Sequence, residues 1–175
     1  GIRPVVDYRK LNEVTRTQIY PLPHMDDYFD ALGSAKFFST LDLKSGYWQI
    51  PMDDQSREKT ALTCPIGHFE FTVMPFGIKN APAEFQRLME IVLSGLNWKK
   101  CLVYIDDIIV FSDTFEEHLS ALNDVFNAPE SANLRVKPEK CHFLQSEIVF
   151  LGHIISSEGI KPDPGKVKDL IDFPI

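Results

Sequence analysis

Basic residues are in short supply in this chain of 175: 18 Lys and Arg stand against 25 Asp and Glu, for a formal net charge of -7. That deficit argues against a protein holding nucleic acid by net charge alone, because that mode depends on clustered Lys and Arg releasing counterions. A locally positive groove remains compatible with it. Cysteine is scarce too. Cys64, Cys101 and Cys141 are odd in number, far apart and set in apolar segments, so they read as free thiols packed as small hydrophobes in a reducing compartment. Cys141 and His142 lack the ligand spacing of a structural zinc site. No apolar run approaches the roughly 18 residues of a membrane span. Nor does any stretch have the charged start, apolar run and small-residue cleavage site of a secretory leader. Repeats, low-complexity tracts and long flexible linkers are missing as well.

What is there is an alternation of helical and strand patterns, 44% hydrophobic overall, that fits one interleaved α+β domain. The chain starts at Gly1 and stops at Ile175 just as a helical pattern begins, so it reads as a piece of something longer. Pro4 to Tyr8 is expected to be extended and to lead into a short polar turn. Met25, Tyr28, Phe29 and Leu32 recur at helical spacing until Gly33. Lys36 to Leu43 predicts a strand, and Lys59 to Cys64 with His68 to Val73 predicts a hairpin about Pro65-Ile66-Gly67. The clearest helix has Asn80 as its cap, Pro82 in its first turn, and an apolar stripe of Phe85, Leu88, Met89, Val92, Leu93 and Leu96. Thr114 and Glu117 form a capping box for another, with the stripe Phe115, Leu119, Leu122 and Phe126 and an expected end at Pro129. Glu147 to Phe150 and His153 to Ser156 predict strands meeting around Gly152. Asp163-Pro164 starts a last helix with Val167, Leu170 and Ile171 on its apolar face.

Adjacent acids occur at Asp26-Asp27, Asp53-Asp54, Asp106-Asp107 and Glu116-Glu117, and for all but one a solvated surface is the natural reading. Asp106 and Asp107 are different because they interrupt an otherwise apolar run from Cys101 to Phe111. A two-residue hairpin with both acids at the tip resolves the conflict. Tight hairpin turns favour Asn-Gly or Asp-Gly, so an Asp-Asp tip gives up stability, and a broken local rule marks a candidate for function. Asp42 repeats the theme at the end of Phe37-Phe-Ser-Thr-Leu. Crowded carboxylates repel unless a cation sits between them. Oxygen donors of this kind suit hard divalent ions such as Mg²⁺, a pair of which can activate a hydroxyl and stabilise a leaving phosphate.

The segments Leu41-Asp-Leu-Lys-Ser-Gly-Tyr-Trp-Gln-Ile50, Met74-Pro-Phe-Gly-Ile-Lys-Asn-Ala-Pro-Ala-Glu-Phe-Gln86 and Tyr104-Ile-Asp-Asp107 follow one another in an order and spacing that resemble the reverse transcriptases of gypsy-type long-terminal-repeat retrotransposons. Val6-Asp-Tyr-Arg-Lys-Leu-Asn12 and Phe150-Leu-Gly-His153 extend the resemblance over nearly the whole chain. It implies an α+β right-hand polymerase with an antiparallel palm sheet and helices packed on one face. Residues 1–157 would form the reverse transcriptase domain, with fingers near 1–16 and 50–80 and palm near 17–49 and 81–157, and residues 158–175 would start the thumb.

By the same resemblance, Asp42, Asp106 and Asp107 are the catalytic acids, holding two Mg²⁺ (or Mn²⁺) with help from the Leu43 carbonyl. Arg3, Lys44, Ser45, Gly46, Tyr47 and Phe76 fall at nucleotide-binding positions: Arg3 to grip the triphosphate, the Ser45 and Gly46 N–H groups to cradle phosphates, and Tyr47 under the sugar. Tyr104, Ile105, Leu151 and Gly152 fall at primer-binding positions. The implied activity is RNA- and DNA-directed DNA synthesis, adding deoxynucleotides to a primer 3′-OH on an RNA or DNA template. Implied partners are ribonuclease H and integrase regions of a parent polyprotein, in a cytoplasmic retroelement particle or the nucleus, with no membrane. The piece alone, lacking the start of the fingers and the body of the thumb, is expected to be weakly active or inactive. One departure stands out: Asn127-Ala-Pro-Glu-Ser-Ala-Asn133 replaces the usual continuous helix, which raises the alternative of a non-catalytic remnant or domesticated binding module.

Overall fold

The computed structural model describes residues 5–21, 23–33 and 35–165. Arg3 and the apolar face expected at Val167, Leu170 and Ile171 lie outside them. Helix α1 (Arg9–Val14) forms where a polar turn was expected, because the Asp7 carboxylate accepts the Arg9 N–H and so orders the start of the turn. Helix α2 (Met25–Leu32) ends at Gly33, whose φ of 31° suits glycine. Strand β1 (Phe37–Asp42) gives way to a 3-10 helix, Gly46–Gln49, then to the short helix α3 (Asp54–Arg57). The hairpin β2 (Leu62–Cys64) and β3 (Gly67–Phe69) is shorter than its apolar flanks predict.

Helix α4 (Ala81–Val92) buries Phe85 and Met89 as its stripe requires. Its expected cap, Asn80, makes no capping bond; its side chain bridges to the backbone of Arg16 and Gln18 instead. Strands β4 (Cys101–Tyr104) and β5 (Asp107–Ser112) precede helix α5 (Phe115–Ser131), where Thr114 Oγ1 accepts the Glu117 N–H as predicted. Strands β6 (His142–Gln145), β7 (Glu147–Phe150), β8 (His153–Ser156) and β9 (Gly159–Pro162) complete the described chain. No helix among the described residues is long and apolar enough to cross a membrane.

The central sheet has the order β4-β5-β1-β6, and β7-β8-β9 form a second, three-stranded sheet. Alternation along β5 sends Ile108 and Val110 to one face, against α4 and α5, while Ile109 packs on the other with Tyr28 and Leu32 of α2 and Phe150 of β7. Both faces are therefore buried, and the ends of β1 and β5 are clamped from two sides.

Helix α5 corrects two expectations. Pro129 does not end it: the proline forgoes its own bond to the Val125 carbonyl, but its ring is buried and the Leu134 N–H closes on its carbonyl. The buried face is His118, Ala121, Leu122, Val125 and Pro129, leaving Phe115 and Leu119 exposed. The helix is rotated because His118 has polar partners inside. Its Nε2 lies 2.7 Å from Ser39 Oγ and its Nδ1 lies 3.0 Å from Ser112 Oγ. Ser112 donates its own proton to the Thr114 carbonyl, so it accepts from Nδ1–H and Ser39 donates to Nε2. The neutral ring is fully satisfied, and burial holds its pKa below the ordinary 6.5. Folding therefore disfavours the proton that an unfolded His118 takes up. This contribution to stability is complete above about pH 6.5 and is lost as pH falls from there through the depressed folded value. Melting temperature is expected to drop across that window, and a His118→Gln variant is expected to show a flatter profile in the same titration.

Candidate active site

Asp42 at the end of β1 lies directly opposite Asp107 at the start of β5. Such cross-strand neighbours hold their Cβ atoms about 4.5–5.5 Å apart, so two carboxylates are brought together by the register alone. Asp106 sits beside them on the turn between β4 and β5. Tyr104 pairs with Asp107, so that turn consists of Ile105 and Asp106, one residue earlier than the sequence suggested. The shift has a cause: a one-residue slip would turn Ile108, Ile109 and Val110 to the wrong faces of the sheet. Its cost falls on Ile105, a β-branched residue held at φ 55°.

Two other residues in the left-handed region border the same place, Ser45 at φ 56° and Leu151 at φ 48°. That makes half of the six non-glycine positive-φ residues among those described, and backbone strain gathers at functional sites. Two clefts meet at Asp42. One, of about 260 Å³, is lined by Leu43, Lys44, Ser45, Gly46, Phe76, Asp106, Lys137 and Lys140. The other, of about 360 Å³, runs past Asp107, Lys140 and His142 to Phe150 and Leu151.

Of the expected nucleotide-binding residues among those described, Lys44, Ser45, Gly46 and Phe76 line the first cleft. Tyr47 is not one of its lining residues; half-buried, it packs behind Phe76, which does line the cleft, with ring centroids 5.2 Å apart, and lies 5.5 Å from Phe85. Desolvation, and secondarily the charge of Asp106, raises the Tyr47 pKa. The Gly46 N–H bonds back to the Leu43 carbonyl at 3.3 Å, which leaves that oxygen one further lone pair. Of the expected primer-binding residues, Leu151 lines the second cleft and Gly152 follows it in the β7-β8 turn. Tyr104 instead packs edge-on against Tyr28 and Phe150, and Ile105 packs on the α4 core.

Lys140 is the residue that sequence reasoning missed. Its Nζ donates to Asp42 Oδ2 at 2.6 Å from 98 positions away. Only the placement of β6 beside β1 brings it there. The Asp42 hydrogen bond and charge raise the Lys140 pKa.

Among the described residues, no group of three His, Cys, Asp or Glu side chains is gathered closely enough to hold a metal ion unaided. The donor chemistry fits a hard divalent ion all the same, since Mg²⁺ keeps several waters and takes only one or two carboxylates plus substrate phosphates. Asp107 shows the strain a cation would relieve: desolvation, then the charges of Asp106 and Asp42, push its carboxyl above the usual range, with Lys140 pulling the other way. Asp42, Asp106 and Asp107 are the residues that would hold it.

The model for the family described as reverse transcriptase (RNA-dependent DNA polymerase) matches residues 1–155. The chain is 50% identical to the retrovirus-related Pol polyprotein from transposon 297 of Drosophila melanogaster, over 99% of its own length and 16% of the relative's. It is 44% identical to that from transposon gypsy of the same organism, over 98% of its length and 17% of the relative's. It therefore spans about a sixth of these polyproteins. Among solved structures, the foamy viral protease-reverse transcriptase in complex with double-stranded DNA matches 99% of this chain and 30% of that one, with a TM-score of 0.90 and 29% identity. The same viral protein in complex with an RNA/DNA hybrid matches 98% of this chain and 23% of that one, at a TM-score of 0.86 and 29% identity. Reverse transcriptases as a family use divalent metal. With its sheet, its acids and its sequence all pointing the same way, this chain belongs to the reverse transcriptase (RNA-dependent DNA polymerase) family.

Proposed function

We propose that this chain is the fingers and palm of an RNA- and DNA-directed DNA polymerase, with fingers near residues 1–16 and 50–80, palm near 17–49 and 81–157, and the thumb beginning after about 158. The observation that carries the reading is the pairing of Asp42 with Asp107, beside Asp106, where two clefts meet. One cleft is the right size and polarity for a nucleotide's phosphates; the other leads along the β7-β8 turn, where a primer end would lie. The foamy viral enzyme, of like fold, is bound to double-stranded DNA in one structure and to an RNA/DNA hybrid in another, which supports duplex as the partner here.

In this reading a primer 3′-hydroxyl attacks the α-phosphorus of the incoming deoxynucleotide. The hydroxyl gives up its proton to solvent as its oxygen bonds to phosphorus, the bond to the bridging oxygen breaks, and pyrophosphate leaves. Two Mg²⁺ ions, when bound, supply the charge that activates the hydroxyl and steadies the leaving phosphates. The chain's own part is positioning. Asp42, Asp106 and Asp107 fix where positive charge gathers, Lys140 balances Asp42, Phe76 and Tyr47 wall the nucleotide, and Leu151-Gly152 steer the primer end. The full-length protein carrying this chain is expected to extend a primer on RNA and DNA templates in Mg²⁺, to stop with excess chelator, and to resume when Mg²⁺ is restored. Extension that continues under chelation would overturn the reading.

A further inference from the structure

Gln86 on α4 is a wholly buried polar side chain, and the chemistry above does not use it. A buried amide is costly unless its hydrogen bonds are made. Its Oε1 accepts the Ile105 N–H at 2.6 Å, and its Nε2 donates to the Val103 carbonyl at 3.1 Å and to Glu90 Oε1 at 2.8 Å. Both atoms are committed, so the amide has one orientation. Glu90 in turn accepts the Tyr20 hydroxyl, and Tyr28 donates to the same Val103 carbonyl at 2.6 Å. Gln86 therefore grips the β4-β5 hairpin on both sides of Tyr104, and one of its bonds goes to the strained residue immediately before Asp106.

Ile105 has no intrinsic reason to remain at φ 55°, since a β-branched residue there is an outlier. Such a conformation persists only when the surroundings over-determine it. We propose that Gln86 is the positioning residue of the catalytic turn: it holds the Ile105 N–H so that the Asp106 carboxylate stays beside Asp42 and Asp107. Glu90 fixes which way the amide faces. The inference rests on reading Asp106 as a metal-holding acid.

The test uses the full-length protein, with rates expressed per folded molecule after thermal melts. Gln86→Met keeps the bulk and removes the grip. It is expected to lower kcat by about 10- to 100-fold, in line with an ångström-scale misplacement, and to raise the Mg²⁺ concentration needed for half-maximal rate. The deoxynucleotide KM and primer-template affinity are expected to stay within about twofold. Gln86→Glu sets two carboxylates against each other on α4 and is expected to do worse. Combining it with Glu90→Gln, which keeps the acceptor for Ile105 and puts one donor back between the pair, is expected to recover part of the rate, the Val103 carbonyl still lacking its amide donor. A folded Gln86→Met with native kcat and Mg²⁺ dependence overturns the proposal, as does a paired exchange no better than Gln86→Glu alone. If Gln86→Met does not fold, the comparison of Gln86→Glu with the paired exchange decides by itself. Asp106→Asn is run alongside: its inactivity with an unaffected Gln86→Met sinks only this inference, whereas an active Asp106→Asn sinks the reading of the site.

Discussion

Asp106→Asn is expected to abolish primer extension by the full-length protein while leaving its fold intact. The exchange keeps size and shape and removes one negative charge from an exposed turn. Surface exchanges of this kind usually change stability by no more than about 0.5 kcal/mol, so the melting temperature should hardly move. It should if anything rise, because Asp107 loses a like-charged neighbour that helps to push its carboxyl up. Activity is another matter. Charge stabilisation by bound metal is worth several kcal/mol, and each 1.36 kcal/mol is about tenfold in rate, so a loss of about 10³-fold or more is expected. Undiminished extension by a folded Asp106→Asn protein would remove the acid from the chemistry.

Such a site is legible in the sequence because its acids break a pattern. Asp42 and the Asp106-Asp107 pair interrupt apolar strands, and burial makes that contrast visible in one dimension. The stripe of α4 was legible for the same reason, since Phe85 and Met89 recur at the period of the surface they bury. Other features depended on partners distant in sequence. The turn at Ile105-Asp106 is set by which face Ile108 and Ile109 must present, which local turn preferences do not encode. His118 is polar by type yet buried, because Ser39 and Ser112 arrive from two strands to satisfy it. Strand β6 is exposed at all four positions and shows no alternation, so nothing announced it, and Lys140 stayed hidden with it.

Pro129 shows how a sound rule misleads when position is left out. Proline costs about 3 kcal/mol in a helix interior, so the rule predicts a break there and with it a non-catalytic remnant. Near the end of α5 that cost is offset: the Ser131 hydroxyl donates to the Asn127 carbonyl, and the proline ring itself is buried. The helix continues through Asn127 to Ser131, so that segment no longer counts as a reason to prefer a non-catalytic remnant.

Tyr47→Ala is expected to let ribonucleotides compete far better with deoxynucleotides while deoxynucleotide addition stays measurable. The 3-10 helix Gly46–Gln49 follows Asp42 closely and sets this ring against Phe76, a wall of the first cleft, while Phe85 holds it from another side. On the proposed function, a flat, stiff ring so held would occupy the space that a ribose 2′-hydroxyl needs, whereas a deoxyribose would pack its bare C2′ against it. Exclusion of this kind is a difference of two affinities, so removing the ring should benefit only the excluded substrate. One pocket contact is worth about 1–3 kcal/mol, which predicts a shift of roughly 5- to 150-fold in the ratio of kcat/KM values. Tyr47 also packs against the α4 core, so truncation has a second consequence: lost burial should lower the melting temperature. The two effects separate cleanly, because a fall in folded fraction reduces use of both nucleotides equally and cannot change their ratio. Matched ribo- and deoxynucleotide incorporation by the native and Tyr47→Ala proteins measures that ratio directly. An unchanged ratio alongside a lowered melting temperature would make Tyr47 a core residue and leave sugar selection to another wall of the cleft.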